Sequence, residues 1–205
     1  DKATDVLFKT PELRDADVIA LQEMDNEGVD RIAKALHMNA VYYAASMHPL
    51  SGKPFGPAIL TRWPIEKGWK LLLPHQTHIR SQRRVATGAM LRVGSHRVRV
   101  YSLHLEAPMR VREGKRRDQA LAVIEDARDW AGPVVVTGDL NDEFLGDLFE
   151  ASGYAWATKG IGPTVGPLSF DHVFTRNLGP VLAKGKADAH GASDHRPVWS
   201  VLRLR

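Results

Sequence analysis

The stretch VVVTGDLND, residues 134–142, joins a run of valines to Gly138 and then to Asp139, Asn141 and Asp142. An uninterrupted β-branched run is the pattern of a strand buried on both faces, at the centre of a covered sheet. Polar groups that follow it directly fall where the covered sheet stops. Gly138 is the expected point at which the chain turns out of the sheet. Asp139 and Asn141 read either as an Asx turn ahead of a helix or as a site, and Asp142 as a dispensable helix-start residue.

Strand-like segments recur along the whole chain: 17–22, 40–45, 58–61, 85–93, 96–105, 134–137, 170–175 and 198–204. Gly94 and Ser95 join the fourth to the fifth with hairpin chemistry. In the fifth, Val98 and Val100 alternate with Arg97, Arg99 and Tyr101, which predicts one buried face and one wet face. The clearest helix lies in KRRDQALAVIEDARDW, with Ala120, Leu121, Ile124, Ala127 and Trp130 as its apolar face. A second is carried by GVDRIAKALHM, with Val29, Ile32, Ala33 and Leu36 on one side. GPTVGPL, residues 162–168, is a loop within one domain spanning 1–205, without repeat or linker. The pattern predicts an α+β fold, a two-sheet sandwich with helices outside.

Composition removes several kinds of chemistry. With no cysteine there are no disulfides, zinc–thiolate sites or cysteine nucleophiles. No apolar run approaches the roughly 20 residues that a helical membrane span needs, so the chain reads as a soluble domain of undetermined compartment. Lys plus Arg exceed Asp plus Glu by 28 to 24, a mild excess that permits a polyanionic partner. No G-x-S-x-G, P-loop, H-E-x-x-H or G-x-G-x-x-G motif is present.

Polar residues close other strand-like runs as well. Gln22 and Glu23 end DVIALQE, His104 sits between leucines in YSLHLEAP, Asp171 and His172 open DHVF, and Asp194 and His195 precede the last strand. Glu23, Asp139, Asn141 and Asp194 offer hard oxygen ligands suited to Mg²⁺ or Mn²⁺ that keeps waters and meets a substrate phosphate. His104 and His195, each with a carboxylate available, supply proton-transfer and oxyanion-stabilising groups. Together these types point to phosphate-ester hydrolysis.

The ordered set DVIALQE, GPAILTRWPI, YSLHLEAP, VVVTGDLND, FDHVF and SDHRPV resembles the endonuclease/exonuclease/phosphatase superfamily, the fold of deoxyribonuclease I, AP endonucleases, neutral sphingomyelinases and inositol polyphosphate 5-phosphatases. The resemblance runs from Asp17 to the C-terminus. It implies a four-layer αββα sandwich of two mainly antiparallel sheets flanked by helices, with the site where both sheets end. It further implies Glu23 as principal metal ligand, with Asp194 on the same metal side. Asp139 and Asn141 then orient water and hold phosphate oxygens, His195 contacts the scissile phosphate, and Asp171 fixes its tautomer. His104 falls where deoxyribonuclease-like and sphingomyelinase-like relatives carry histidine and AP endonucleases usually carry tyrosine. Arg84 matches an arginine near the phosphate, and Arg116 and Gln119 a common structural pattern.

Two departures stand out. Relatives begin with a strand ending in asparagine ahead of the QE glutamate, and the residues before Glu23 supply none, so the first strand is expected upstream of this chain. Pro57 stands where many relatives have asparagine. The expected activity is divalent-metal-dependent phosphodiester hydrolysis on nucleic acid. Alternatives are a phospholipid or sphingomyelin headgroup, a phosphatase, and a non-catalytic binding module; no obligate protein partner is implied, and a monomer is expected. Arg110, Arg112, Lys115, Arg116 and Arg117 form either a solvated helix start or a phosphate-contacting rim. Trp63, Trp69 and Trp156 are either core, stacking surfaces for bases or lipid-facing anchors.

Overall fold

The structure is a computed structural model that describes residues 2–48, 51–76, 82–108 and 113–205. It opens with two helices, α1 (Lys2–Lys9) and α2 (Pro11–Arg14), followed by β1 (Val18–Met24) and α3 (Asn26–Leu36). Six strands follow: β2 (Asn39–Tyr42), β3 (Ser46–Met47), β4 (Pro54–Thr61), β5 (Ile65–Leu72), β6 (Val85–Val93) and β7 (His96–His104). The chain then runs through α4 (Glu113–Asp126), β8 (Val134–Asp139), α5 (Leu145–Ala151), β9 (Ala155–Trp156), β10 (Asp171–Arg176), β11 (Val181–Lys186) and β12 (Val198–Leu202).

The strands form one antiparallel sheet ordered β1-β4-β2, with β3 also on β4, a second ordered β5-β6-β7-β8-β10-β9, and a β11-β12 ribbon. All pairs are antiparallel except β7 with β8, whose parallel pairing requires a crossover, and α4 supplies it. Among the described residues, the edge of β1 away from β4 and the edge of β12 away from β11 pair with no strand.

Three apolar clusters define four layers. Val6, Leu7 and Leu13 of the first helices and Val29, Ile32, Ala33 and Leu36 of α3 pack on Ile19, Ala58 and Leu60 of the first sheet. Ile59 meets Ala89, Leu91, Val98 and Val100 between the sheets. Leu103, Val134, Val136 and Phe174 pack beneath Ala120, Val123 and Phe149 on the helical side of the second sheet. The α+β sandwich is therefore present, and the valines of β8 are covered on both faces, Val134 and Val136 buried towards helices and Val135 partly buried towards the other sheet.

Polar contacts lock the sheets together. Gln22 of β1 donates to Ser102 Oγ of β7 at 3.2 Å, and Thr87 of β6 donates to the carbonyl of Pro57 at 2.7 Å. Both serine and threonine are fully buried, where an unpaired hydroxyl would be costly.

Several details differ from the sequence pattern. β7 has no fully wet face, because Tyr101 points into the helical side of the core and donates to Asp126 at 2.5 Å. On α4 Val123 is buried alongside Ala120 and Ile124, and Leu121 is exposed. The chain does not leave the sheet at Gly138: β8 continues through Asp139, paired to β7 and β10, and turns afterwards at Asn141, with φ 52°. Glycine is required at 138 for another reason. Its φ is 140°, and a Cβ there would lie 2.1 Å from the Leu103 carbonyl oxygen of the neighbouring strand. Trp69 and Trp156 pack against the core; β5 and β11 were missed because charged residues and glycine break their pattern at exposed edges.

Gly138→Ala is expected to destabilise the fold by about 2 kcal/mol or more through strained backbone and strand separation, read as a lower urea midpoint. An unchanged midpoint would contradict the close approach.

Candidate active site at the end of the intersheet space

Strand register brings the polar ends together. His104 lies opposite Asp139 across the parallel β7–β8 pair, and Asp171 lies opposite Asp139 across the antiparallel β8–β10 pair. Side chains alternate along each strand. Because Val136 and Phe174 face the helices, Asp139 and Asp171 face the other sheet, as does His104, in phase with Val100. All three side chains emerge at one end of the intersheet space.

Asp139 is 6% exposed. Its Oδ1 accepts the backbone N–H of Asn141 at 2.8 Å, and its Oδ2 accepts Asn141 Nδ2 at 3.2 Å. The same Nδ2 also donates to the Leu105 carbonyl at 3.1 Å, so the positive-φ turn at Asn141 clamps the carboxylate. His104 Nε2 stands 3.4 Å from Asp139 Oδ2. Burial, followed by the negative charge of Asp171, pushes the Asp139 carboxyl up to about 7, opposed by the charge of His195 and the Asn141 N–H.

His195, in the loop between β11 and β12, places Nδ1 2.8 Å from Asp171 Oδ2. That hydrogen bond raises the imidazole to about 9 against the desolvating effect of its half-buried position. Thr164 of the Gly/Pro loop ties both partners down. Its Oγ1 accepts the N–H of Phe170 and of Asp171, and its carbonyl accepts the N–H of Arg196. The sequence pattern gave this loop no part in the site; a threonine enclosed by Gly and Pro was the only available signal.

Asp139, Asp171 and His195 each offer a ligand atom within 4.8 Å of the others, a group that could hold a metal ion. Two buried carboxylates held close, one with its proton affinity raised by burial and by the other's charge, are what a hard divalent cation relieves. His195 as a cation does not ligate, so ligation by its ring and protonation near neutrality exclude each other. Glu23 and Asp194 are exposed and lie outside this group. Glu23 lies within the irregularity of β1 between Leu21 and Met24, at φ 55°, and lines a depression with Asp25, Arg31, His48, Lys53 and Phe55. Asp194 adds its charge to the field at His195.

Arg84 donates from Nε and Nη2 to Glu106 at 3.3 and 3.2 Å and lies with Nη1 3.1 Å from His104 Nδ1. His172 turns away into the helical side of the core against Trp156 and Phe174, where burial lowers its proton affinity. Asp142 is not a dispensable helix-start residue. It is 3% exposed, accepts two nitrogens of buried Arg116 at 2.9 Å and the N–H of Phe144 at 2.8 Å, and α5 begins only at Leu145. Arg116 is thereby removed from any basic rim, Lys115 and Arg117 remain outside the core, and Arg110 and Arg112 lie outside the described residues.

The endonuclease/exonuclease/phosphatase family model matches residues 4–195. UPF0294 proteins of Vibrio cholerae serotype O1 are 31% identical over 97 residues, 43% of this chain and 34% of theirs, so the match spans about a third of their length. The fold is shared with an endonuclease/exonuclease/phosphatase from Bacteroides vulgatus (TM-score 0.80, 18% identity, 100% of this chain and 91% of that one). It is also shared with a humanized TDP2 of D. rerio (0.77, 17%, 99% and 92%) and with a mannosyl-6-phosphatase of Bacteroides thetaiotaomicron (0.69, 18%, 99% and 91%).

Removing one partner of a buried ion pair costs about 3 kcal/mol or more, so Asp142→Asn is expected to lower the denaturation midpoint accordingly; a shift under about 0.5 kcal/mol would refute the anchor. The His195 contribution to stability has a definite sign. Its folded-state value of about 9 exceeds the unfolded 6.5, so the contribution is full below 6.5 and lost as pH rises through about 9. In chelator-treated protein the Asp171–His195 pair is expected to contribute on the order of 2 kcal/mol more at about pH 6 than at about pH 9.5. His195→Gln should flatten that slope, and an equal slope in both proteins would contradict the pairing.

Proposed function

This chain belongs to the endonuclease/exonuclease/phosphatase family, and from that premise we propose that it is a divalent-metal-dependent phosphoester hydrolase that attacks phosphorus in line with water. The observation that carries the reading is the buried Asp139 carboxylate, braced by Asn141 and set beside the Asp171–His195 pair.

Buried and held by two donors of Asn141, the Asp139 carboxylate is placed to take a proton from water. Asp139 orients the attacking water and accepts its proton as the new P–O bond forms. His195, cationic and oriented by Asp171, donates towards the phosphoryl oxygens and hands a proton to the departing ester oxygen as the old P–O bond breaks. Asn141 holds Asp139 at its angle through its backbone N–H and its Nδ2. Asp139 and Asp171 within the pocket, with Glu23 and Asp194 beyond it, are oxygen donors that would hold Mg²⁺ or Mn²⁺. Such an ion, when bound, supplies charge neutralisation at the phosphoryl oxygens. No covalent enzyme intermediate is required.

For substrate we place a nucleic-acid phosphodiester first, on the excess of basic residues and a pI near 9.4. A phosphomonoester is the second reading, favoured by the fold shared with a mannosyl-6-phosphatase.

The test is turnover with Mg²⁺ or Mn²⁺ on single- and double-stranded DNA, RNA, sphingomyelin, phosphoinositides, sugar phosphates and a generic bis-ester. Asp139→Asn and His195→Ala are each expected to lower kcat about 10²- to 10⁴-fold while the circular dichroism spectrum stays native. Turnover that survives both substitutions would reject the mechanism. Turnover confined to monoesters would move the assignment to a phosphatase, and binding without any turnover would make this a binding module.

A further inference from the structure

Glu106 has no part in the chemistry above, yet it is a carboxylate only 3% exposed at the rim of the site. It is held from several directions. Its backbone N–H donates to Gln119 Oε1 at 3.2 Å, Gln119 Nε2 in turn donates to the Pro74 carbonyl at 3.1 Å, and Glu106 Oε1 accepts the Ala107 N–H at 3.2 Å. Both carboxylate oxygens then receive the fork of Arg84, whose side chain is 12% exposed. The backbone of Arg84 is also fixed, its carbonyl accepting the Leu73 N–H at 3.0 Å. The guanidinium therefore has one place to be, and its Nη1 faces His104 Nδ1 at 3.1 Å.

A guanidinium carries N–H donors and no acceptor. The ring nitrogen opposite it must be the acceptor, with its lone pair towards Arg84. The ring proton is thereby assigned to Nε2, the nitrogen 3.4 Å from Asp139 Oδ2. We infer that Glu106 is a positioning residue which, through the fork of Arg84, fixes His104 in the Nε2–H tautomer, so that His104 serves the site as a hydrogen-bond donor and not as a base. The donor points to the Asp139 side of the ring, towards that carboxylate or an oxygen of a substrate bound against it. Arg84 accordingly acts on a phosphate through His104 rather than by its own fork. The assignment of the tautomer stands on the contacts alone, whereas the use of the donor on a phosphate oxygen rests on the hydrolase reading.

The experiment reads the tautomer directly, by long-range ¹H–¹⁵N correlation spectra of the metal-free full chain at neutral pH, with His104→Gln to assign the signals. Wild type is expected to show His104 protonated at Nε2 and bare at Nδ1. Arg84→Gln replaces a donor-only group with an amide that can present either a donor or an acceptor, and Glu106→Gln loosens the fork. Both are expected to give a mixture of tautomers while the tryptophan fluorescence and melting profile remain those of a folded protein. If one variant fails to fold, the other carries the test. In turnover, Glu106→Gln should lower kcat about 10-fold or more with KM changed less than about threefold, the pattern of a supporting residue. Wild-type His104 protonated at Nδ1, or a tautomer that does not change in either folded variant, would overturn the inference. Absence of turnover in wild type would sink the hydrolase reading and leave the tautomer result standing.

Discussion

A carboxylate buried beside another carboxylate is the constraint on which the rest of this structure depends. Asp139 sits at the last paired position of β8, where β7 brings His104 alongside from one flank and β10 brings Asp171 from the other. Removing an ionised carboxylate from water is expensive unless charge and hydrogen bonds compensate. The surrounding sequence answers that requirement. Gly138 lets β8 lie against the Leu103 carbonyl, Asn141 turns with positive φ to offer two donors, and His195 is drawn in by Asp171. Beneath these, the Gln22–Ser102 and Thr87–Pro57 bonds keep the two sheets in the register that aligns their ends.

The two histidines of the site divide its work through their partners. His195 faces a carboxylate, which stabilises its proton and makes it a cationic donor. His104 faces a guanidinium, which accepts nothing and commits the ring to a single donor direction. Glu106, Gln119 and Pro74 form the support behind the second arrangement, and Thr164 forms the support behind the first. The metal-compatible group takes in Asp139 together with the Asp171–His195 pair.

Much of this was legible in the sequence, for physical reasons that can be named. A central strand under two layers must be apolar on both faces, so VVV announced β8; an edge strand needs no such pattern, so IEKGWKLL and VLAKGK passed unnoticed. Alternation misled at Tyr101, because its hydroxyl is satisfied by Asp126 and a polar tip does not require a wet face. Residues whose chemistry is visible in their type, such as Asp139, Asp171 and His195, stood out at strand ends. Asp142, Thr164 and Glu106 did not. Their contacts reach 26, 7 and 22 residues along the chain, and no local pattern encodes a partner at such a distance. Glu23 and Asp194 stood out equally; both are exposed and lie outside the three-residue group.

The most direct measurement is the melting temperature of metal-free protein titrated with Mn²⁺ or Mg²⁺ in the absence of any substrate. A cation that relieves the crowded carboxylates binds the folded state alone, so the melting temperature rises with its concentration and the rise saturates. Asp139→Asn and Asp171→Asn remove that relief, and their melting temperatures should respond little. A wild-type melting temperature indifferent to either cation, or a rise of equal size in both variants, would contradict a metal centre at the end of the intersheet space.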